Sequence, residues 1–309
     1  MQIIRGLVNL RPSSRGLALT IGNFDGVHLG HRAILDRLRE RARALDVPTA
    51  VVTFEPTPRE YFDPAHAPAR LMRLRDKAAA LDAAGVDRLV LLRFDERLRA
   101  LSADDFAEQV LAGALAARHV VIGSGFRFGR GRSGTVDLLA GHGRRLGFGV
   151  EAVEPVMQDG ERVSSTRVRA ALAAGDLPAV RRLLGRDFSI SGRVIDGRKL
   201  GRKLGYPTAN MRLHRRVTPL FGVFAVRVRG IGEGARPGVA SLGTRPTIGG
   251  GELLLETHLF DFEGDLYGRY LEVEFVARLR DEIKFPDIET MLARMHVDAA
   301  EARRLLAAG

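Results

Sequence analysis

The chain has 309 residues, which favours two domains over one, and 45% of them are apolar, enough to form buried cores. The formal charge is +11, and arginine carries it, since only four residues are lysine. Aromatic residues are 6% and tryptophan is absent, which argues against stacking platforms for nucleic acid and favours small phosphates as partners. The absence of cysteine excludes disulfides and thiol catalysis. With no signal-peptide core and no apolar run of about 18 residues, we expect a soluble cytoplasmic protein.

A glycine-rich turn between a strand and a helix is the most informative stretch of the N-terminal half. An apolar run over residues 17–21 predicts a buried strand, and G-N-F-D-G-V-H-L-G-H follows at residues 22–31. His28 and His31, at positions i and i+3, should share one face of the first helical turn, beside N–H groups that favour an anion. Phosphoryl and nucleotidyl transfer need such donors. A metal pair or structural histidines are the alternative, but neither requires the glycine turn.

Further apolar strands are expected at residues 48–54, 88–94, 119–123 and near 150–153, with helices between them. Strands that are apolar throughout and alternate with helices predict a doubly wound parallel sheet covered on both faces. We expect the Glu55-Pro56-Thr57-Pro58 segment to continue neither as strand nor as helix. Ligands of such sheets bind beyond the carboxyl ends of the strands, where this segment and the opening motif lie.

Two later segments of this half could also bind phosphate. In the loop at residues 123–134, glycines allow close approach, arginines can meet phosphate, and Phe126 and Phe128 could flank an aromatic ring. A flexible basic loop is the alternative. In V-S-S-T-R-V-R, at residues 163–169, Ser165 or Thr166 should N-cap a helix that ends before Gly175. Together with Arg169, this hydroxyl-rich N-cap would form a second anion site, although such caps are often only structural.

Strands dominate after residue 185. We expect them at residues 188–195, 222–229, 237–242, 253–260 and 270–279, and their alternation of apolar and charged residues predicts an antiparallel barrel. A single amphipathic helix at residues 287–306 should cover it. The predicted domains are therefore residues 1–185 and 186–309.

The stretch at residues 192–210 is rich in glycine and basic residues and is suited to phosphate, although it is not a Walker A loop. It ends in P-T-A-N, in which Thr208 and Asn210 offer oxygen ligands for Mg²⁺. A glycine-rich hairpin with an ordinary turn is the alternative.

Taken together, these segments resemble the bacterial bifunctional riboflavin kinase/FAD synthetase family. The segments are G-x-F-D-G-x-H-x-G-H, F-R-F-G, V-S-S-T-R-V-R, G-R-K-L-G-Y-P-T-A-N and E-T-H-L-F-D-F-E-G-D-L-Y-G. They stand in the order of the family, and the resemblance covers nearly the whole chain. It implies an N-terminal FMN adenylyltransferase domain with a Rossmann-like nucleotidyltransferase fold and a C-terminal riboflavin kinase barrel. Riboflavin, FMN and ATP would be the substrates and Mg²⁺ the metal ion, with no nucleic-acid or membrane partner; an oligomer is possible.

The resemblance also implies roles for individual residues. His28 and His31 would be catalytic in adenylyl transfer, and Glu256 would take the proton of the riboflavin 5′-hydroxyl. Flavin binding is implied for Phe126, Arg127 and Phe128, and metal binding for Thr208 and Asn210. Nucleotide binding is implied for Gly22, Phe24, Asp25, Gly30, Ser164, Ser165, Thr166, Arg169, Gly192, Gly201, Gly205 and Pro207. The chain departs from the family pattern at Thr57, Gly125, Asp196, Phe224 and Ser241.

Two other hypotheses remain at this stage. The first is a nucleotidyltransferase with another phosphate acceptor, whose barrel is a binding module, so that deleting the chain from Arg186 onward would preserve activity. The second is a basic RNA-binding protein with an adenylyltransferase-like fold, whose affinity would fall steeply with salt. The P-T-A-N and H-x-G-H segments argue against both.

Overall fold

The computed structural model describes residues 1–14, 16–196, 206–213, 217–245 and 252–307. The chain forms two compact units, of which the first comprises Met1–Pro68 and Met72–Ser164. The second comprises Ala69–Leu71 and Ser165–Gly309. The domain boundary at residues 185 and 186 remains a prediction. Within the described ranges, no helix has both the length and the apolar character that a membrane crossing requires.

Six parallel strands form the sheet of the first unit. They are β1 (Gln2–Arg5), β2 (Ala18–Ile21), β3 (Thr49–Glu55), β4 (Arg88–Arg93), β5 (His119–Gly123) and β6 (Gly149–Val153). Their order in the sheet is β1-β4-β3-β2-β5-β6. The chain adds β3 and β4 on one side of β2 and later β5 and β6 on the other. The direction in which strands are added thus reverses at β2, and in sheets of this kind a ligand-binding crevice opens at that point. This crevice lies at the carboxyl end of β2, where the G-x-F-D-G turn begins.

Helices cover both faces of this sheet. They are α1 (Leu29–Leu45), α2 (Pro58–Phe62), α3 (Leu74–Ala83), α4 (Glu96–Ala100), α5 (Ala103–Asp105, continuing as a π-helix over Phe106–Ala114) and α6 (Val136–Leu146). Alternate residues of β3 enter opposite cores: Ala50 and Val52 pack with the π-helix on one face, and Val51 packs with α1 and α3 on the other. All three are fully buried. The predicted parallel sheet, with apolar strands covered on both faces, is confirmed.

The second unit contains a closed barrel of six antiparallel strands. They are β9 (Phe188–Ile195), β10 (Thr208–Arg212), β11 (Gly222–Arg229), β12 (Arg236–Arg245), β13 (Glu252–Leu259) and β14 (Tyr270–Arg280), preceded in the chain by the short hairpin strands β7 (Met157–Gln158) and β8 (Glu161–Arg162) of the first unit. Around the barrel the order is β10-β13-β12-β11-β14-β9. Helices α7 (Ser165–Ala174) and α8 (Leu177–Leu184) precede it, and α8 packs on β9 and β14.

The C-terminal helix, α9 (Ile288–Ala307), packs on the outside of the barrel wall. Ala302 and Ala299 join Ala225 and Phe260 of the barrel in a small apolar cluster. A buried ion pair fixes the helix: both carboxylate oxygens of Asp298 accept from the guanidinium of Arg280, at 2.7 to 3.1 Å. The predicted barrel with one covering helix is confirmed.

Two local expectations were wrong, and one strand was missed. Pro58 begins α2 instead of preventing a helix, because proline at the first helical position loses no hydrogen bond, and Thr57 caps that helix. Helix α7 begins at Ser165, so the residue that precedes its first turn is Ser164. Ser165 and Thr166, the predicted N-caps, lie within that turn. The P-T-A-N segment leads into a barrel strand, Thr208–Arg212, that was not among the predicted strands.

Candidate active sites

The G-x-F-D-G turn leaves the carboxyl end of β2 and leads directly into α1. The backbone N–H of Gly22 donates to Val52 on β3, 3.0 Å away, which keeps the turn against the sheet edge. Phe24 and Val27 have positive φ angles of 47° and 40°, unusual for residues with a side chain. The Asp25 carboxylate accepts from the Met72 N–H at 3.0 Å, just before α3. These hydrogen bonds and backbone angles fix the conformation of the turn.

The two histidines of the motif stack at the start of α1. His28 is the N-cap, and its Nδ1 accepts from the backbone N–H of His31 at 3.3 Å. The rings lie 3.7 Å apart between centroids and 15° from parallel. Because Nδ1 accepts, a neutral His28 carries its proton on Nε2, which becomes a hydrogen-bond donor. The expectation that both imidazoles share one face is confirmed, although His28 caps the helix and does not lie within its first turn.

His31 is held in a neutral state by its surroundings. Burial is the largest cause, and the neighbouring His28, Lys77 and Arg162 add to it, so that the pKa of His31 lies well below its ordinary value of 6.5. Among the residues that the structure describes, none hydrogen-bonds to the buried His31 Nδ1. A buried polar atom without a partner is costly in a folded protein and suits a ligand-binding position. Lys77, which is 4% exposed on α3, was not predicted as a member of this group.

Other predicted residues of the turn have supporting positions. The side chain of Phe24 is 1% exposed and packs on the His31 ring at 4.7 Å between centroids, so it supports the histidine and offers no open stacking surface. A Cβ on Gly30 would lie 3.3 Å from the His28 ring, so this glycine lets the ring sit close to the helix. A Cβ on Gly22 would lie 3.2 Å from the Phe24 ring, so a side chain there would require the ring to shift.

A cavity of about 650 Å³ opens at the carboxyl edge of the sheet in the first unit. Ile21, Phe54 and Phe94 line it where β2, β3 and β4 end, and Phe126, Arg127 and Phe128 line its opposite side. The Phe126 and Phe128 rings stack at 5.7 Å and 14°, and Phe128 is 7% exposed and part of the core. An apolar cavity with a basic rim, from Arg59, Arg127 and Arg130, suits an aromatic ligand that carries phosphate.

The Ser-Ser-Thr segment lies at the boundary between the two compact units. Ser164 ends the first unit, and Ser165, Thr166 and Arg169 belong to the second, where Arg169 Nε donates to the Ala69 carbonyl at 2.6 Å. Thr166 is exposed on the first turn of α7.

The candidate site of the second unit lies on one face of the β10–β13 pair. Asn210 faces Glu256 across the strands, and Thr208 faces His258. Asn210 is 6% exposed, and its Nδ2 donates to the Thr208 carbonyl at 3.2 Å, which leaves Oδ1 as the amide atom suited to a cation. Glu256 is exposed. The structure therefore places the predicted base opposite Asn210, at a cross-strand spacing of about 5 Å, with Thr208 diagonal to it at about 7 to 8 Å.

Beside this face is a second cavity, of about 690 Å³. Pro207, Thr208 and Asn210 line one side, and the loop of Glu263, Asp265 and Tyr267 lines the other. Gly192 does not line this cavity; it is buried in β9, and a Cβ there would lie 3.3 Å from Met211. Gly201 and Gly205 fall outside the described residues.

The second unit fits the magnesium ion that its family pattern implies. Thr208 and Asn210 supply a hydroxyl and an amide oxygen, and Mg²⁺ usually combines one or two protein oxygens with substrate phosphates and water. No cluster of three or more histidine, aspartate and glutamate side chains suited to a metal ion occurs in the described part of the chain.

Comparison with known proteins decides between the hypotheses. The FAD synthetase family matches residues 10–167, and the riboflavin kinase family matches residues 184–306. The bifunctional riboflavin kinase/FMN adenylyltransferase of Pseudomonas fluorescens is 53% identical over 99% of this chain and 98% of its own. The enzyme of the same name from Escherichia coli K12 is 45% identical over 98% of this chain and 97% of its own.

The chain belongs to the bifunctional riboflavin kinase/FMN adenylyltransferase family. It is an enzyme that uses ATP to convert riboflavin to FMN and FMN to FAD. A solved structure titled as a macrolide-efflux protein from Streptococcus pneumoniae is also similar, with a TM-score of 0.83 and 29% identity. The matched region covers 96% of this chain and 97% of the Streptococcus pneumoniae chain, so the similarity extends over both halves of this protein.

The family membership gives Thr57 a testable role. Thr57, one of the departures from the family pattern, forms a reciprocal capping box with Glu60 at the start of α2. Helix α2 carries Pro58, Arg59 and Phe62 to the cavity of the first unit. We expect Thr57→Ala to cost about 1 kcal/mol of local stability and to raise the KM for FMN about fivefold in FAD formation. Thr57→Ser keeps the cap and should match the wild type; equal KM values in all three proteins would contradict the prediction.

The low pKa of His31 makes a prediction about stability in acid. Below about pH 6.5 the unfolded chain binds a proton at His31 that the folded protein does not, so the free energy of unfolding falls as the pH decreases. The loss ends only once the folded protein also binds that proton. We expect His31→Asn to flatten this dependence in urea denaturation below about pH 6.5. His66→Asn, at a histidine whose side chain is 83% exposed, is the control, and equal slopes for His31→Asn and wild type would contradict the assignment.

Proposed function

We propose that the two reactions of the family occur at separate sites, one in each compact unit, and that the residues described above carry them. The observation behind this proposal is that each unit contains its own cavity beside groups suited to phosphoryl or nucleotidyl transfer. In the first unit these are the stacked histidines and the aromatic cavity, and in the second the Thr208, Asn210 and Glu256 side chains.

For the second unit, the proposed reaction is transfer of the γ-phosphoryl group of ATP to riboflavin. The Glu256 carboxylate accepts the proton of the 5′-hydroxyl as the hydroxyl oxygen bonds to the γ-phosphorus and the bond to ADP breaks. Thr208 Oγ1 and Asn210 Oδ1 would hold Mg²⁺, which, when bound, neutralises charge on the ATP phosphates. Pro207, beside them, shapes the wall of the cavity that receives the nucleotide.

For the first unit, the proposed reaction is attack of an FMN phosphate oxygen on the α-phosphorus of ATP, with pyrophosphate leaving. No base is required, because the attacking phosphate is already ionised. His28 donates from Nε2 to a phosphate oxygen as negative charge shifts toward the leaving group. The ring of His31 lies stacked against the ring of His28. Phe126 and Phe128 support the flavin ring, and Arg127 meets the FMN phosphate. Ser165, Thr166 and Arg169 are assigned to ATP phosphates by their motif alone.

Two further proposals rest on composition and chemistry. Mg²⁺ is the proposed metal ion, because both candidate ligands are neutral oxygens of the kind a phosphate-bound magnesium ion accepts. A cytoplasmic location is proposed because the chain has no cysteine, which suits a reducing compartment.

A product assay tests the proposed function. Purified protein is incubated with riboflavin, ATP and Mg²⁺, and flavins are separated by chromatography over time; in parallel, FMN replaces riboflavin. We expect FMN to appear first and FAD to follow, and FAD alone in the parallel reaction. Failure to form FMN from riboflavin would overturn the kinase assignment. Failure to form FAD from supplied FMN would overturn the adenylyltransferase assignment.

A further inference from the structure

His258 completes a square of side chains on the β10–β13 pair. It faces Thr208 as Glu256 faces Asn210. Residues two apart on a strand share a face, so all four side chains lie on the same side of the barrel wall. Three of them are the proposed metal ligands and base of the kinase site. The fourth, His258, has no role in the sequence motif analysis or in the mechanism above.

A hydrogen bond connects His258 to the backbone of the candidate metal-binding segment. Its Nδ1 lies 3.0 Å from the Pro207 carbonyl oxygen, so Nδ1 carries the proton and donates. That carbonyl belongs to the peptide that leads into Thr208. The bond therefore restrains the peptide plane from which the Thr208 side chain projects. Burial is the main cause of a lowered pKa at His258, and the hydrogen bond to Pro207 opposes it.

The same segment is restrained from the other side by α9. Tyr206, which is 7% exposed, packs on the His258 ring at 4.9 Å between centroids. Its hydroxyl lies 2.6 Å from Nδ1 of His296, on α9. The Asp298–Arg280 ion pair fixes this helix to the barrel. Tyr206 and Pro207 are thus held between a barrel strand and a docked helix immediately before the first candidate ligand.

We propose that His258 is a positioning residue of the kinase reaction, and that its hydrogen bond to Pro207 orients Thr208 and Asn210 against Glu256. The inference rests on the proposed function of this site. A nucleotide and its metal ion require fixed ligand geometry, and a misplacement of about 1 Å can cost about 100-fold in rate. The orientation matters most for the metal-bound nucleotide. Binding of riboflavin without nucleotide should depend on it little.

Two substitutions distinguish the contribution of the His258 hydrogen bond from that of its aromatic ring. His258→Phe keeps an aromatic ring against Tyr206 but removes the donor, whereas His258→Asn retains an N–H close to the position of Nδ1. We expect His258→Phe to lower kcat for riboflavin phosphorylation about 10- to 100-fold, with little change in KM for riboflavin. His258→Asn should remain within about threefold of the wild type. In calorimetry, His258→Phe should bind MgADP at least about fivefold more weakly and metal-free ADP as well as wild type does.

FAD formation from supplied FMN reports on the folding of the first unit in the same samples and should be unchanged in both variants, whereas unchanged binding of metal-free ADP reports on the folding of the barrel. Equal kinase kcat for wild type and His258→Phe would overturn the inference, as would equal losses in both variants. A wild type without kinase activity would instead overturn the proposed function. A readout independent of any variant is the imidazole ¹⁵N spectrum of the wild type. A proton on Nδ1 of His258 supports the inference, and a neutral ring protonated on Nε2 overturns it.

Discussion

Replacing Glu256 by glutamine is expected to lower kcat for riboflavin phosphorylation by about 10²- to 10⁴-fold. Glutamine has nearly the size and shape of glutamate, so the β10–β13 pairing opposite Asn210 should persist. A neutral amide, however, cannot accept the proton of the 5′-hydroxyl as the phosphoryl group is transferred. The measurement is the initial rate of FMN formation at saturating riboflavin and MgATP.

FAD formation from supplied FMN should be the same in Glu256→Gln and wild type, because that reaction is assigned to the other unit. The matched control is Glu233→Gln, the same chemical change at an exposed position in the turn between β11 and β12. It should leave both activities unchanged. A Glu256→Gln enzyme that retains more than about a third of the wild-type rate would exclude this carboxylate as the base.

His28→Asn is expected to reduce FAD formation by about 10²- to 10³-fold without unfolding the protein. His28 acts both as the N-cap of α1 and as the proposed donor to phosphate. Asparagine is among the best N-cap residues, so it can still accept the N–H of His31. It does not reach the position of Nε2, and the donor at the reacting phosphates is lost. Initial rates with FMN and ATP give the effect on catalysis, and urea denaturation gives the effect on stability.

Thr135→Ala is the control that removes a helix cap without removing a proposed catalytic group. Thr135 caps α6 by accepting from Leu138 at 3.1 Å, so its loss should cost about 1 kcal/mol of stability and little activity. His28→Ala should combine both losses. If His28→Asn forms FAD at nearly the wild-type rate, His28 is only a cap, and stabilisation of the transferring phosphoryl group must come from other residues.

Strands β2 to β6 of the parallel sheet could be predicted from sequence because each is mostly apolar and bounded by breakers, whereas β1, with only two apolar residues between Gln2 and Arg5, was not predicted. The interval at residues 119–123 matches β5 residue for residue. Strand β10 was missed because it begins after a proline and carries polar residues at Thr208 and Asn210. What makes it a strand is its pairing with β13 and β9, at a distance in sequence that no local pattern encodes.

The motifs indicated which residues to examine, but not how each one packs. The sequence placed Phe24 among the nucleotide-binding residues, whereas its ring is buried against His31. Lys77 carries no signal in sequence, since a lysine at helical spacing is usually a solvated residue, and only the packing of α3 buries it. The role of His258 likewise depends on a carbonyl 51 residues away in the chain.

The division of the chain by packing does not coincide with its division by family. The FAD synthetase match runs to residue 167, yet the second compact unit begins at Ser165 and also includes Ala69–Leu71. A gene cut after residue 164 would deprive the first product of the Thr166 hydroxyl, and a cut at residue 186 would detach α8 from the barrel strands on which it packs. Separating the two activities into independent proteins would therefore require redesigned surfaces as well as a new stop codon.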